Sequence, residues 1–164
     1  PPFSLHYVKG HTPYGPITAG PDGVKYFTLR ARWDTGAKYM PESRDLLEKG
    51  SKKHKMVVDI SVPELSDLAQ LNEFSRSEVM QVDSEGMGAY LYCIPPEISV
   101  DLKVPSAGGG QYGIVLNGCV FSSGQKLGKL SGIYRNHDEE ELQVEGGTQG
   151  AAVLLMQFSD DLDS

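Results

Sequence analysis

The chain has 164 residues, enough for one domain with a sizeable core or for one domain and part of another, and its nineteen glycines and ten prolines imply many turns. Fifteen Lys and Arg against twenty-two Asp and Glu leave a net charge of −7, which argues against a nucleic-acid backbone or an anionic membrane as the main partner. No apolar run approaches the roughly 18 residues of a membrane span, and no charged-then-apolar leader is present, so a soluble chain is expected.

Residues 3–8 read as a strand, residues 9–15 (KGHTPYG) as a loop, and Pro21-Asp22-Gly23 as a turn with Pro and Gly at their favoured places. Residues 24–33 (VKYFTLRARW) are predicted to form a strand, with Val24, Tyr26, Thr28 and Arg30 on one face and Lys25, Phe27, Leu29 and Ala31 on the other. Neither face is wholly apolar, as in an amphipathic barrel wall. Between residues 34 and 85 the texture changes. Pro41 near the start, acids early, Lys49 late and Gly50 at the end give the order of a short helix. A second short helix is expected near Pro63, where Leu65, Leu68 and Leu71 are spaced i, i+3, i+6, with candidate strands at 55–60 and 78–83 flanking it. The basic run Lys52, Lys53, His54, Lys55 is short and reads as a solvated loop.

From residue 86 onward strands come densely. Residues 88–94 (GAYLYCI), 98–104 (ISVDLKV, apolar at every second position), 112–116, 119–121, 129–135, 141–145 and 151–158 are separated by Pro-Pro, triple Gly, Asn-Gly, Ser-Ser-Gly and Gly-Gly. Asn117-Gly118 is predicted to be a type I′ hairpin turn, since both residues tolerate positive φ. Short strands with turn signals at this spacing predict an all-β sandwich or barrel, not βαβ units. Cys93 and Cys119 lie in apolar, strand-like surroundings and are expected to be buried free thiols of a cytoplasmic protein. Sliding the chain against itself by 127 residues sets Tyr7 on Tyr134, Gly20 on Gly147, Gly23 on Gly150 and residues 24–30 on 151–157, the pattern of an internal repeat.

This succession of Gly-rich turn, strand, Asn-Gly, strand, loop, strand and apolar strand resembles the cupin superfamily. The resemblance implies a double-stranded β-helix, an RmlC-like jelly-roll barrel, with a few short helices in a connector. With the repeat, it also implies a bicupin fragment: residues 1–33 as closing strands of a first repeat or an N-terminal strand arm, 34–85 as connector, and 86–164 as the main part of a barrel. The family's first motif has two histidines, then a glutamate, then a glycine seven positions on. With that glycine on Gly118, Gln111 takes the glutamate's place, and the histidines fall on Pro105 and Ala107 or on Val104 and Ser106. The second motif, anchored on Gly128, puts Tyr134 at its proline, Asn136 at its second glycine and Glu139 at its histidine.

The resemblance therefore implies a degenerate repeat. A cupin metal site is built from three imidazoles and a carboxylate, and a divalent ion needs about that many fixed donors. Only Gln111 and Glu139, in the acidic loop 138–141 beside His137, stand at the motif positions, so no metal and no cofactor are expected. The chain also contains no G-x-S-x-G, P-loop or Cys-x-x-Cys. Gln111, Tyr92, Tyr134 and Gln157 are the polar residues the barrel pattern points inward, and with Glu139 they form the candidate ligand-binding set. Two functions stay open. One is a non-catalytic cupin-like domain that binds a small polar molecule or supports assembly. The other is a metal-dependent cupin enzyme, a dioxygenase or isomerase, with an atypical site. An arm carrying Phe3, Leu5, Tyr7, Tyr26, Phe27 and Leu29 further predicts a homodimer whose interface includes part of residues 3–33.

Overall fold

The computed structural model describes residues 2–31, 36–48, 53–104 and 108–159. Trp33, the last residues of the helix expected over 41–50, and positions 105–107 lie outside them. The chain divides into two compact units, residues 1–60 and 61–164.

In the first unit, β1 (Phe3–Val8) pairs antiparallel with β2 (His54–Ile60), placing Tyr7 opposite Lys55 and Val8 opposite His54. The ring of His6 meets those of Tyr14 and His54 edge-on, at 5.4 and 6.0 Å. Burial, and then the neighbouring His54, lower the His6 pKa. The turn at Pro21-Asp22 forms, closed by Gly23 N–H donating to the Gly20 carbonyl at 3.0 Å. The strand expected over 24–33 does not: residues 24–31 form no strand, and Val24, Tyr26 and Phe27 are more than half exposed. Aromatic and β-branched content suits a pleated surface, but a strand exists only through a ladder partner, and here the propensity finds none. The helix expected over 41–50 is a single 3-10 turn, Arg44–Leu46, without a side-chain cap at Ser43. One uncapped turn does not repay helix nucleation. Residues 24–30 are not a strand whereas 151–157 are, so over that stretch the backbone does not follow the 127-residue likeness of sequence.

Among its described residues, the second unit is all-β apart from one helical turn, α1 (Leu65–Leu68), near the helix expected at Pro63. Its strands are β3 (Ser75–Met80), β4 (Gly88–Ile94), β5 (Ser99–Leu102), β6 (Gln111–Ser122), β7 (Gln125–Gly128), β8 (Gly132–Arg135) and β9 (Leu142–Gln157). Every pairing is antiparallel. β6 and β9 are long and serve two sheets. Their halves 111–115 and 153–157 pair with each other inside the order β3-β4-β9-β6-β8, while their other halves join β5-β9-β6-β7. Tyr90, Tyr92, Ile94, Val115, Val153 and Leu155 from the first sheet share one buried cluster with Val100, Leu102, Val120 and Val144 from the second. Two antiparallel sheets joined by bent common strands over one core make this unit a cupin-like jelly roll.

Asn117-Gly118 is not the hairpin. β6 runs through it, and the turn into β7 is Ser123-Gly124, whose φ values of 48° and 77° are those of a type I′ turn. Gly118 does have a positive φ, 71°, but at an irregularity in the β6–β9 ladder where the strand passes from one sheet to the other. Asn117 is used there too: its Nδ2 donates to the Pro63 carbonyl at 2.9 Å. Residues 141–145 and 151–158, expected as two strands, are one, because the glycines at 146, 147 and 150 bend β9 without ending it. Among the described residues, no helix is long and apolar enough to cross a membrane.

Candidate functional site

Strand register sets the site. Gly88 lies opposite Gln157, Gln157 opposite Gln111, and Gln111 opposite Arg135, so one cross-strand row runs over β4, β9, β6 and β8. The next rows inward along the same face are Tyr90–Leu155 and Tyr92–Val153–Val115, which are core. The row therefore caps the core with polar groups, at the mouth of a cleft of about 340 Å³. Gln111, Gln157, Arg135, Lys103, His137 and Glu141 supply its polar lining.

The two glutamines are 4% and 5% exposed and form a chain with a fixed direction. Gln157 Nε2 donates to the Gly86 carbonyl at 2.6 Å, and Gln111 Nε2 donates to Gln157 Oε1 at 2.8 Å. Gly86 is held in place by the turn before β4. Asp83 Oδ1 accepts from the N–H of Glu85 and Met87, at 3.0 and 3.1 Å, and Gly86 N–H donates to the Asp83 carbonyl. At the other end of the chain Gln111 Oε1 is buried and has no hydrogen-bond partner among the described residues. Such an atom costs about 1–3 kcal/mol, and native proteins rarely keep one without a use.

The triple glycine finds its reason here. A Cβ at Gly108 would lie 2.2 Å from Gln157 Nε2, and one at Gly110 would lie 2.6 Å from the Tyr134 hydroxyl. The loop is tied to the end of β9 by Gly109 N–H donating to Phe158 O, and Phe158 N–H to Gly110 O, at 2.9 and 3.1 Å.

Charge at the mouth is organised by the loop after β8. Arg135 Nε donates to the Glu140 carbonyl at 2.6 Å and Nη2 to the Glu139 carbonyl, leaving other guanidinium donors without a partner among the described residues. Lys103 is ion-paired with Glu141 and, at 3.9 Å, with Asp101. The hydrogen bond to the Glu141 carboxylate raises the Lys103 pKa, so the amine stays protonated.

Of the five residues singled out from sequence, Gln111 and Gln157 meet in this cleft. Tyr92 faces the core beneath it. The Tyr92 hydroxyl donates to the Lys103 carbonyl at 2.7 Å and accepts from Lys103 N–H at 2.8 Å, so both its roles are taken by backbone. Tyr134 is 46% exposed on the opposite face of β8, where its ring meets that of Tyr112 at 4.8 Å, and Tyr112 in turn meets Phe158 edge-on. Burial raises the Tyr112 pKa. Glu139 turns back into its own loop, its Oε2 accepting from Asn136 N–H at 2.7 Å. Arg135, Lys103 and Glu141 were not singled out from sequence. The signal that finds Arg135 is strand register, which single-sequence pattern does not supply.

The donor set does not fit a divalent ion. Among the described residues there is no group of three or more His, Cys, Asp or Glu placed to hold one. The cleft offers neutral glutamine amides, an exposed His137 and a carboxylate already paired with Lys103.

Comparison with protein-family models gives no match, and no curated protein matches. Among solved structures, the chain is similar to a cupin superfamily protein from Desulfitobacterium hafniense, at 14% identity over 56% of this chain and 83% of that one, with a TM-score of 0.42. It is also similar to the Cupin_2 domain of an XRE family transcriptional regulator from Enterobacter cloacae, at 12% identity over 52% and 96%, TM-score 0.41. A third is the Rhodobacter sphaeroides complex of SigE with the anti-sigma ChrR, at 15% identity over 52% of this chain and 45% of that one, TM-score 0.42. The cupin-like assignment rests on the strand order and shared core described above.

Proposed function

We propose that residues 61–159 form a non-catalytic cupin-like domain that binds a small polar molecule in the cleft over Gln111 and Gln157. The observation that carries this reading is the buried, unpartnered Gln111 Oε1 at the end of a directed amide chain. Positioned amides beside a cation orient a ligand by hydrogen bonds, and among the described lining residues there is no Ser, Thr or Cys beside a base. The metal-dependent dioxygenase or isomerase is the weaker reading, because the described residues of the cleft do not supply the donors such an ion needs. Two free thiols, Cys93 and Cys119, fit a reducing compartment such as the cytoplasm. Elemental analysis of the purified chain tests the proposal. Iron, zinc, nickel and manganese are expected far below one equivalent, and a stoichiometric content of any of them would overturn it.

Assembly as a homodimer is a second role, favoured by the exposed Tyr14, Ile17, Val24, Tyr26 and Phe27 and by a β1–β2 sheet of only two strands. Sedimentation equilibrium is its test.

A further inference from the structure

The direction of the amide chain says what the ligand must present. A backbone carbonyl can only accept, so the Gly86 oxygen at 2.6 Å fixes Gln157 with its NH₂ toward Gly86 and its oxygen toward Gln111. That oxygen in turn fixes the Gln111 NH₂ toward Gln157, at 2.8 Å. Neither amide can flip without setting donor against donor or acceptor against acceptor. The group left over at Gln111 is therefore an acceptor, and its partner must be an N–H or O–H.

One strand away on the same face stands Arg135, opposite Gln111 in the β6–β8 register. Side chains so paired start about 5 Å apart. The guanidinium is anchored through Nε and Nη2 to the carbonyls of residues 140 and 139, which fixes its plane and leaves donors for an anionic acceptor. Lys103, also on the cleft wall, is ion-paired with both Glu141 and Asp101, so Arg135 is the cation that faces an anionic ligand. A cleft of about 340 Å³ stands at the lower end of small-molecule sites, which suits a small ligand.

Resting on the ligand-binding reading above, we infer that the cleft takes a small hydroxycarboxylate, whose carboxylate meets Arg135 and whose hydroxyl, on the α or β carbon, donates to Gln111 Oε1. The cross-strand spacing sets the short separation between the two groups. A hydroxyl suits Gln111 better than an ammonium, because one buried acceptor satisfies its single donor, while an ammonium would leave two of three donors dry. Gln111 lines the cleft while its Oε1 is buried, so reaching that oxygen takes a side-chain adjustment of the kind ordinary at binding surfaces.

The test uses the full chain and matched probes: lactate against propionate, 3-hydroxybutyrate against butyrate, and glycerol and glucose as polyols without a carboxylate. Affinity is read by titration calorimetry, and the site of binding by the side-chain amide NMR signals of Gln111 and Gln157. At least one hydroxy acid is expected to bind tenfold or more tightly than its deoxy partner and to shift both amides, because an unmet buried acceptor penalises the analogue that lacks the donor. In Gln111→Met the hydroxy and deoxy acids should bind alike. In Arg135→Gln both should weaken about equally. The wild-type ratio decides the matter even if a variant fails to fold. Equal binding of hydroxy and deoxy acids, or amide shifts with polyols but not with hydroxy acids, would overturn this inference and leave the ligand-binding reading standing. No shift of either amide with any of these probes would overturn both.

Discussion

Gly118→Val is expected to lose about 3–5 kcal/mol of stability, because two separate penalties fall on one residue. The backbone there has φ 71°, a conformation a β-branched side chain resists. A Cβ would also lie 2.2 Å from the Gly150 carbonyl oxygen, a rigid backbone atom of the neighbouring strand that cannot rotate aside. Gly118 sits where β6 crosses between the two sheets, so the strain reaches the shared core and not merely a loop. At about 4–8 °C per kcal/mol for a unit the size of residues 61–164, the melting temperature should fall by roughly 12–40 °C. Gly128→Val is the control. Its Cβ would meet nothing within 4 Å and its φ is not positive, so the change should be within about 0.5 kcal/mol. Thermal unfolding of the two variants checks the account, and equal melting temperatures would count against a strained crossing at Gly118.

Sedimentation equilibrium should give twice the chain mass of 17.9 kDa at tens of micromolar. A two-stranded sheet is marginal in water by itself, and β1–β2 is one. Tyr26 is 69% exposed and Phe27 53%, in a segment that forms no strand. Covering such groups on two copies buries on the order of 600 Å² of apolar surface, worth about 15 kcal/mol at roughly 25 cal/mol per Å². That is enough to offset an association cost of about 4–15 kcal/mol. Removing residues 1–33 should abolish the dimer or cause aggregation, since β2 then loses its partner. A monomeric full-length chain, or a truncated chain that remains a well-behaved dimer, would contradict this.

The strands of the second unit were legible because alternation and turn residues are local. β4 was read to the residue, and β5 and β8 differ from their expected spans only at the ends. What misled was glycine. Asn117-Gly118 and the Gly-Gly at 146–147 carry the same local signal whether a chain reverses or merely bends, and the choice is made by whether a neighbouring strand continues alongside. β6 and β9 continue alongside each other at both places, so they bend. Residues 24–31 differ for the opposite reason, having strand composition and no ladder partner among the described residues. At the site, alternation along β6 put Gln111 inward, but its partners depend on the register of β6 with β8 and β9, which a single sequence does not encode locally. Tyr134 and Arg135 show how fine the distinction is: one position separates the outer aromatic cluster from the cleft.

The most direct test of the cleft as a binding site is a ¹⁵N–¹H NMR titration of the full chain with a library of small polar compounds, with every side-chain amide assigned. Compounds that bind are expected to shift the Gln111 and Gln157 amides together with the backbone signals of residues 108–111 and 135. Gly108→Ala, which pushes a methyl group against the Gln157 amide, is expected to abolish those shifts. Shifts concentrated instead on the opposite face, around Tyr112 and Tyr134, would contradict a site in the cleft.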